Sequence, residues 1–325
     1  MKMSGAGKVK LVPFMKGDLE LKKYLVKRLL QIIPVLFIIT FVVFVLVYLA
    51  GDPVALMLPE DASEADREAL RAALGLNEPF LYQYFHFIGD LFRGNFGTSF
   101  RYHQEALPLV LERLPATFEL AAASMLIAII IAIPMGIFSA QKRNSFVDLF
   151  ITGGSVLGKA MPSFWLGIML ILMLAVNYQI FPVSGRGTWA HLILPAITLG
   201  TGVAAEMTRL VRSSMLDILN QDYIRTAKSK GVSDTLVVYK HAFRNSLIPV
   251  VTITSLQVTH LVSGALITET VFSWPGLGQL LVQAVNGRDM AVVQAAVFVI
   301  AILVILINLI TDLIYRLLDP RINYS

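Results

Sequence analysis

Residues 220–250 lie between two long apolar segments and have the sequence NQDYIRTAKSKGVSDTLVVYKHAFRNSLIPV. This stretch is polar and basic, yet it carries several signals of ordered structure. Asp222 is placed to cap a short helix, and Gly231 supplies the left-handed turn that commonly ends one. Ser233 is placed to cap a second helix that leads into the next apolar segment. The pattern predicts helix, glycine turn and helix at a membrane surface, and we interpret it as a docking element for a soluble partner.

The composition of the chain indicates an integral membrane protein. Of its 325 residues, 56% are hydrophobic and only 15% are charged, and the mean hydropathy is +0.70. A soluble domain rarely reaches this apolar balance, so we predict an all-α integral membrane fold. The chain has no cysteine, which excludes a disulfide framework, a thiol nucleophile and a cysteine-based metal site.

Several apolar segments are long enough to cross a bilayer, which requires about 20 residues of helix. The clear candidates are Leu29–Ala50, Leu120–Ala140, Gly187–Ala205 (extending toward Leu210), Asn245–Thr268 and Met290–Thr311. A further stretch, residues 146–180, is long enough to suggest two helices and is divided by Pro162.

The distribution of charge predicts the orientation of these helices. The first 28 residues hold eight Lys or Arg against two acids, and residues 51–116 hold five Arg against ten acids. By the positive-inside rule the N-terminus is cytoplasmic and the 51–116 loop is outside. Lys142, Arg143 and the basic 209–246 loop are then inside. The chain between residues 143 and 209 must cross the membrane an even number of times, and Gly187–Ala205 supplies one crossing, so residues 146–180 supply a single crossing. This count predicts about six transmembrane helices with both termini cytoplasmic.

The predicted organisation follows from these segments. It consists of a basic cytoplasmic segment 1–28, a first transmembrane helix 29–50, an extracytoplasmic loop 51–116, a core 117–318 that contains the cytoplasmic loop 211–246, and a cytoplasmic tail 319–325. Within the outer loop, Ser63 opens a capping-box pattern and Gly75 ends the helix that follows. We interpret this helix as an amphipathic cap on the outer surface, with a contact surface for an extracytoplasmic partner as the alternative.

Motifs for catalysis, phosphate binding and metal binding do not match this sequence. The string Gly5-Ala6-Gly7-Lys8-Val9 lacks the leading glycine and the hydroxyl of a phosphate-binding loop. Ser263-Gly264 lacks the preceding glycine of an intramembrane serine protease, and the five histidines are scattered. We expect no catalytic residue, bound cofactor, metal or nucleic-acid partner for this chain.

Three ionisable residues lie within or beside apolar segments: Lys159, Glu206 and Glu269. A charge in hydrocarbon costs at least ~2.5 kcal/mol, so these residues, with Pro162, are candidates for a pathway or gate. Each also has a plainer interpretation. Lys159 is near enough to the inner mouth to extend to the headgroups. Glu206 precedes Arg209 by one helical turn and is expected to pair with it, and Glu269 marks the outer interface.

The polar loop resembles the cytoplasmic loop of ABC importer permeases, which holds a short coupling helix. Only Ala227 and Gly231 match the general Glu-Ala-Ala…Gly form of that loop. The departures resemble the dipeptide/oligopeptide/nickel branch, whose loops have the form D/E-Y-x-R-T-A-x-x-K-G and then H-x-x-R-N-x-x-x-P. The matching residues here are Asp222, Tyr223, Arg225, Thr226, Ala227, Lys230, Gly231, His241, Arg244, Asn245 and Pro249.

Further blocks resemble the same branch along all but the first 20 or so residues. They are Gly51-Asp52-Pro53, Leu74-Gly75-Leu76 before Pro79, Arg93-Gly94-Asn95-Phe96-Gly97, Pro162-Ser163-Phe164 and the run from Glu269 to Gly278. Asn95 stands where the branch usually has Asp, and Lys159 departs from what the branch leads us to expect.

The resemblance implies the ABC type I importer permease fold and a transport subunit without enzymatic activity. Such a subunit forms half of the pathway of an ATP-driven, binding-protein-dependent importer for di- or oligopeptides or similar solutes. The implied partners are a second homologous permease, two ATPase subunits that bind ATP and Mg, an extracytoplasmic substrate-binding protein and the lipid of a bacterial or archaeal cytoplasmic (inner) membrane. The alternative is a self-contained secondary transporter or channel, but inverted repeats are not evident.

Overall fold

The computed structural model describes residues 13–49, 54, 58–59 and 61–318. Apart from one antiparallel bridge between Thr98 and Glu105, these residues form helices joined by turns. The Gly51-Asp52-Pro53 block, the Gly5–Val9 string and the predicted tail 319–325 lie outside the described residues. The all-α prediction is confirmed for the described part of the chain.

The main helices are numbered in chain order. They are α1 Pro13–Leu49, α2 Glu64–Ala73, α3 Phe80–Phe92, α4 Ala106–Leu111, α5 Leu114–Gln141, α6 Phe146–Ala160, α7 Ser163–Leu170, α8 Trp189–Leu219, α9 Asp222–Ser229, α10 Arg244–Val271, α11 Leu277–Asn286 and α12 Met290–Leu318.

Four helical segments of the described chain are long and apolar enough to cross a membrane: Leu30–Leu49, Ala106–Gln141, Trp189–Leu219 and Met290–Ile314. The bent pair α6 and α7 gives a fifth crossing if it counts as one span. The remaining predicted span corresponds to α10, whose 28 residues extend about 42 Å. Its length is sufficient for a crossing, although it carries more polar residues. Six crossings, and the side on which each terminus lies, remain predictions.

The stretch 146–180 is a broken helix, as the proline predicted. The axis turns by 102° between α6 and the segment that begins at Ser163. Pro162 caps α7, and Met161 before it is extended, with ψ 128°. A residue before proline is driven out of the α region, so the break is local in origin. A π-helical turn, Ile171–Asn177, then ends the segment.

Helices α5 and α8 make the most extensive contact in the bundle. Small residues line this contact, as is typical of helices that pack closely in membranes. A Cβ added at Gly136 would lie 2.6 Å from Val211, and one at Gly200 would lie 2.8 Å from the Ser124 carbonyl oxygen. The two backbones therefore approach each other closely, and α5 and α8 form the frame on which the loops are placed.

The N-terminal part packs through aromatic side chains. Phe37, Phe41 and Phe44 of α1 meet Tyr84 of α3 edge to face, with ring centroids 5.3 to 5.7 Å apart. Helix α2 begins as predicted, because the Ser63 hydroxyl accepts a hydrogen bond from the Asp66 backbone N–H at 3.2 Å. Gly75 follows its end with φ +67°, so the predicted cap and glycine end are confirmed. The full capping box is not formed, because the Asp66 carboxylate accepts from the Ser63 hydroxyl at 2.6 Å rather than from the Ser63 backbone N–H.

Candidate functional site

Helix α9 lies at the end of the bundle where α5 finishes and α10 begins. Its apolar anchor is Ile224, which is 1% exposed. Ile224 belongs to a buried group that we call the loop cluster. The loop cluster comprises Ile137, Ala140, Val211, Met215, Ile224, Val237, Val238, Ala242 and Val250. Within α9, Ile224 is the one fully buried side chain, and it attaches this helix to the loop cluster.

Ala227 lies on the same face of α9 as Ile224, one turn further on, and is partly buried against the loop cluster. Ala227 therefore faces the chain's own core. Ile224 was missed, although an aliphatic residue three positions before an alanine in a polar helix is a signal of an inward face.

The opposite face of α9 is exposed and polar. Asp222, Arg225, Thr226 and Ser229 lie there, and the Arg225 side chain is 80% exposed with its guanidinium 3.9 Å from the Asp222 carboxylate. The Thr226 hydroxyl donates to the Asp222 carbonyl at 2.9 Å. The Ser229 hydroxyl donates to the Arg225 carbonyl at 3.0 Å. These bonds stay within the helix, so the charged groups point away from the bundle.

The helix ends at Gly231, which has φ +77°. The Val232 N–H donates to the Ala227 carbonyl at 3.2 Å and the Gly231 N–H to the Lys228 carbonyl at 3.0 Å. This pattern closes a helix through a left-handed glycine, as predicted. A Cβ at Gly231 would meet no atom within 4 Å, so the glycine is required only by its backbone angle.

The start of α9 differs from the prediction. Gln221 occupies the capping position, and Asp222 is the first helical residue. The Asp222 side chain, 97% exposed, therefore acts through its charge at the positive end of the helix rather than as a cap.

The second half of the loop runs without a break into α10. Ser233 precedes a short turn, Asp234–Leu236, which is followed by a π-helical turn, Val237–Phe243. Ser233 occupies the capping position, as predicted, but its side chain makes no capping hydrogen bond.

Predicted residues from the two halves of the polar loop are in direct contact. The Asn245 side-chain amide donates to the Tyr223 hydroxyl at 2.8 Å and to the His241 carbonyl at 2.9 Å. An ion pair of 3.1 Å between Lys228 and Asp234 adds a second link. The structure thus brings the predicted loop residues together, with Arg244 and Lys230 exposed beside them.

A buried ion pair holds the helices that carry the loop. Arg212 of α8 donates through Nε and Nη2 to both carboxylate oxygens of Asp148 on α6, at 2.7 and 2.8 Å. The Ser139 hydroxyl and the Asn144 N–H also donate to this carboxylate, at 2.5 and 2.9 Å. The two members are 64 residues apart, so no local sequence pattern pointed to this pair. It fixes the turn between α5 and α6 against α8 with the geometry of a strong bidentate contact.

Glu206 pairs with Lys159, and the expected pair with Arg209 is wrong. Lys159 Nζ lies 2.6 Å from Glu206 Oε2, and the two side chains are 53% and 39% exposed. Helix α6 packs on α8 beside this pair, where a Cβ at Gly158 would lie at an ordinary contact distance of 3.5 Å from the side chains of Ala205 and Thr201. Lys159 therefore extends across to α8 rather than along its stem to the headgroups. Pro162 lies exposed at the bend that follows.

Glu269 is buried at the other end of the bundle, where it is 0% exposed. Its carboxylate accepts hydrogen bonds from the Thr117 hydroxyl at 2.7 Å and from the backbone N–H groups of Gly278 and Gln279 at 2.7 and 3.1 Å. It thus satisfies the N-terminus of α11. This placement gives Glu269 a structural role in place of the predicted pathway role.

Comparison with known proteins identifies the family. Residues 21–121 match the family model described as "Binding-prot-dependent transport system membrane comp, N-term". Residues 132–324 match "Binding-protein-dependent transport system inner membrane component".

Two relatives are similar over nearly their whole length. The chain is 42% identical to the oligopeptide transport system permease protein AppB of Bacillus subtilis, over 93% of this chain and 99% of that protein. It is 41% identical to the glutathione transport system permease protein GsiC of Escherichia coli K12, with the same coverage.

A solved structure shares the fold. A chain of the MetNI methionine ABC transporter, in an inward-facing conformation, superposes with a TM-score of 0.57 at 21% identity, covering 65% of this chain and 96% of that one. Together with the family matches, this similarity confirms the predicted importer permease fold. The chain belongs to the family of inner membrane components of binding-protein-dependent transport systems.

Proposed function

We propose that this chain forms one half of the translocation pathway of an ATP-driven importer and couples to ATPase subunits through α9 and the Gly231 turn. The observation that carries the proposal is the two-faced construction of α9. Its inner face is anchored by Ile224, whereas its outer face presents Arg225 and other exposed polar groups. A partner with an acidic rim complements that face.

The construction also accounts for transmission of movement. A displacement of α9 passes through Ile224 into the loop cluster and so to α5, α8 and α10. The Asp148–Arg212 ion pair links α6 to α8, so the two helices move together. Rigid-body movement of packed helices is a general way in which such transitions spread. ATP and Mg are bound by the ATPase partners, and the chain itself binds no cofactor or metal.

The complex contains a second, homologous permease, two ATPase subunits and an extracytoplasmic substrate-binding protein. The relatives are named for oligopeptide and glutathione transport, both peptide-like solutes, so we assign di- or oligopeptides or similar small solutes as cargo. The host membrane is the cytoplasmic (inner) membrane of a bacterium or archaeon. The end that carries α9 faces the cytoplasm, as do both termini.

Charge reversal on α9 tests the coupling role. Arg225→Glu should release the ATPase subunits during purification of the complex and abolish ATP-dependent peptide uptake. The matched control is Arg93→Glu, since Arg93 is also 80% exposed and lies 3.7 Å from an acid one turn away, Asp90. Arg93→Glu should retain the ATPase subunits. Full retention and normal uptake with Arg225→Glu would contradict the proposal.

Single cysteines test the orientation, because the chain has none of its own. Cysteines introduced at Glu64 and Asn286 should react with an impermeant thiol reagent added outside intact cells, whereas one at Ser229 should react only after the cells are opened. Labelling of the Ser229 position from outside would overturn the orientation.

Uptake that requires an ion gradient and not ATP would favour the secondary transporter instead.

A further inference from the structure

The Lys159–Glu206 pair lies inside the membrane-spanning part of the bundle. Lys159 follows Asp148 by eleven residues on α6, about 16 Å along the helix axis. The hydrocarbon core is about 30 Å thick, so Lys159 is near its middle if Asp148 marks the basic end. Glu206 lies within Trp189–Leu219, one of the segments that can cross the membrane.

Both charged side chains are exposed on this chain, at 53% and 39%. Two charges turned toward acyl chains would be very costly, and intramembrane charges almost always face protein or a water-filled cavity. The surface that carries them is therefore covered by water or by a partner subunit rather than by lipid.

A third helix adds polar groups at the same place. Gln257 of α10 and His260, one turn further along α10, both lie near enough to the Glu206 carboxylate to interact with it. Helices α6, α8 and α10 thus converge on one polar site within the bundle. Such convergence of polar groups from several helices is typical of a binding site in a helical bundle.

The Asp148–Arg212 and Lys159–Glu206 ion pairs differ in burial and in the number of contacts that hold them. The Asp148 side chain is 7% exposed and both its oxygens are held by Arg212. In the Lys159–Glu206 pair, the single contact between the charges is that of Nζ with Oε2. An exposed pair held by one contact exchanges partners at little cost.

We propose that Lys159 and Glu206 form a subsite in the translocation pathway for zwitterionic substrates, in which Lys159 receives a carboxylate and Glu206 an ammonium group. This inference rests on the proposed function. In the empty pathway the two residues neutralise each other. As a zwitterion arrives, its two charges replace the internal contact, so that no charge is left unpaired. Binding of this exchange type stays weak enough for release, as passage requires.

Uptake by the assembled transporter, with its binding protein in proteoliposomes, tests the charge preference. The probe is one peptide supplied with a free or an amidated C-terminus. Lys159→Met should lower uptake of the free acid by about tenfold relative to wild type, and should lower uptake of the amide much less. The ATPase subunits should remain attached.

A double variant separates the subsite from a brace. If the pair only ties α6 to α8, combining Lys159→Met with Glu206→Gln removes both charges and should restore uptake. If the pair is a subsite, uptake of the free acid should stay low in the double variant. Restored uptake would overturn the proposal. Arg186→Met serves as a control, since Arg186 forms an equally short pair of 2.6 Å with Glu119, near the start of α5, and its loss should leave the acid-to-amide ratio unchanged.

Thiol labelling gives a second measurement that does not depend on uptake. Lys159→Cys should react with a charged thiol reagent in the assembled transporter, and the peptide should slow the reaction. Leu157→Cys, two residues away and 66% exposed on this chain, should not react, because its side chain points to another face of α6. An unreactive cysteine at position 159, or one indifferent to the peptide, would overturn the subsite. Loss of ATP-dependent uptake in the wild type would instead overturn the importer assignment.

Discussion

Two turns at opposite ends of the helical bundle contain similar residues but place them in different surroundings. The Gly231 turn in the polar loop follows an exposed helix in which Ile224 is the one fully buried side chain. The turn between α10 and α11 buries Glu269 and Trp274 completely, each with 0% exposure. Both turns combine a glycine, a charged residue and a helix terminus. They differ in where the polar groups find their partners.

In the buried turn, partners come from this chain. The Trp274 indole N–H donates to the Ala116 carbonyl at 2.8 Å, and the Leu277 N–H donates to the Thr117 hydroxyl at 2.8 Å. In the polar loop, the charged side chains of Arg225 and Lys230 are exposed. The residues of the buried turn are therefore accounted for by contacts within this chain, whereas the proposed docking role would account for those on the outer face of α9.

Removing the buried carboxylate should have the largest effect. Glu269→Ala leaves the Thr117 hydroxyl and two backbone N–H groups without their acceptor, and each unsatisfied group costs about 1–3 kcal/mol. We expect a loss of at least ~3 kcal/mol in unfolding free energy, seen as low abundance in the membrane and early thermal unfolding in detergent. Glu119→Ala, at an acid that is 41% exposed, should cost less than ~1 kcal/mol. Equal stability of the two variants would remove the contrast between buried and exposed acids.

Truncating Ile224, the anchor of α9, should lower stability less than the loss of Glu269, and only within the polar loop. Ile224→Ala deletes a buried side chain, a change that typically costs about 2–5 kcal/mol, but the loop can detach while the bundle stays folded. We expect faster hydrogen exchange and proteolysis within residues 220–245, with little change in the thermal unfolding of the rest. Ile224→Val, which keeps most of the side chain, should remain near wild type. Global unfolding of Ile224→Ala would show that the loop is part of the main core.

The two turn glycines should respond differently to alanine. A Cβ at Gly278 would lie 2.5 Å from the Leu266 Cα, so Gly278→Ala overpacks the buried turn at a cost of about 1–3 kcal/mol. Gly202→Ala is its control, because nothing lies within 4 Å of that Cβ and alanine favours a helix. Thermal unfolding should separate the two variants, and a neutral Gly278→Ala would mean that the turn is loosely packed.

Gly231→Ala should have the smallest effect on stability. Space is available there, so the cost is the left-handed angle alone, about 1–2 kcal/mol, and it falls on the loop. Gly231→Asn should cost less, since asparagine tolerates this angle better. Stimulation of the ATPase by the loaded binding protein should decline in the alanine variant and recover in the asparagine variant. A clash-like loss in both would contradict the open surroundings of this glycine.

Local signals in the sequence predicted local structure well. The Gly231 turn, the Ser63 cap and the break at Pro162 all follow from the chemistry of one or two residues. The partner of Glu206 was predicted wrongly because the nearest cation in sequence was chosen, whereas Lys159 lies 47 residues away and meets it through the packing of α6 on α8.

Contacts between residues far apart in the chain, and the angles between helices, could not be predicted from the sequence for the same reason. Thr117 and Glu269 are 152 residues apart, and no spacing rule connects them. The proline predicted a break but not its angle of 102°, which the neighbouring helices determine. The inward direction of Ala227 was missed because a two-turn helix has too few residues for its apolar period to be evident beside so many charges.

Site-directed cross-linking tests the central claim, that the outer face of α9 binds the ATPase. The chain has no cysteine, so Thr226→Cys and Ala227→Cys each provide a unique site for a short photoactivatable cross-linker in the assembled transporter. We predict that the cysteine at position 226, on the exposed face, cross-links to an ATPase subunit, and that the adjacent one at position 227 cross-links only within the permease. No product with the ATPase from position 226, or equal products from both positions, would contradict the account.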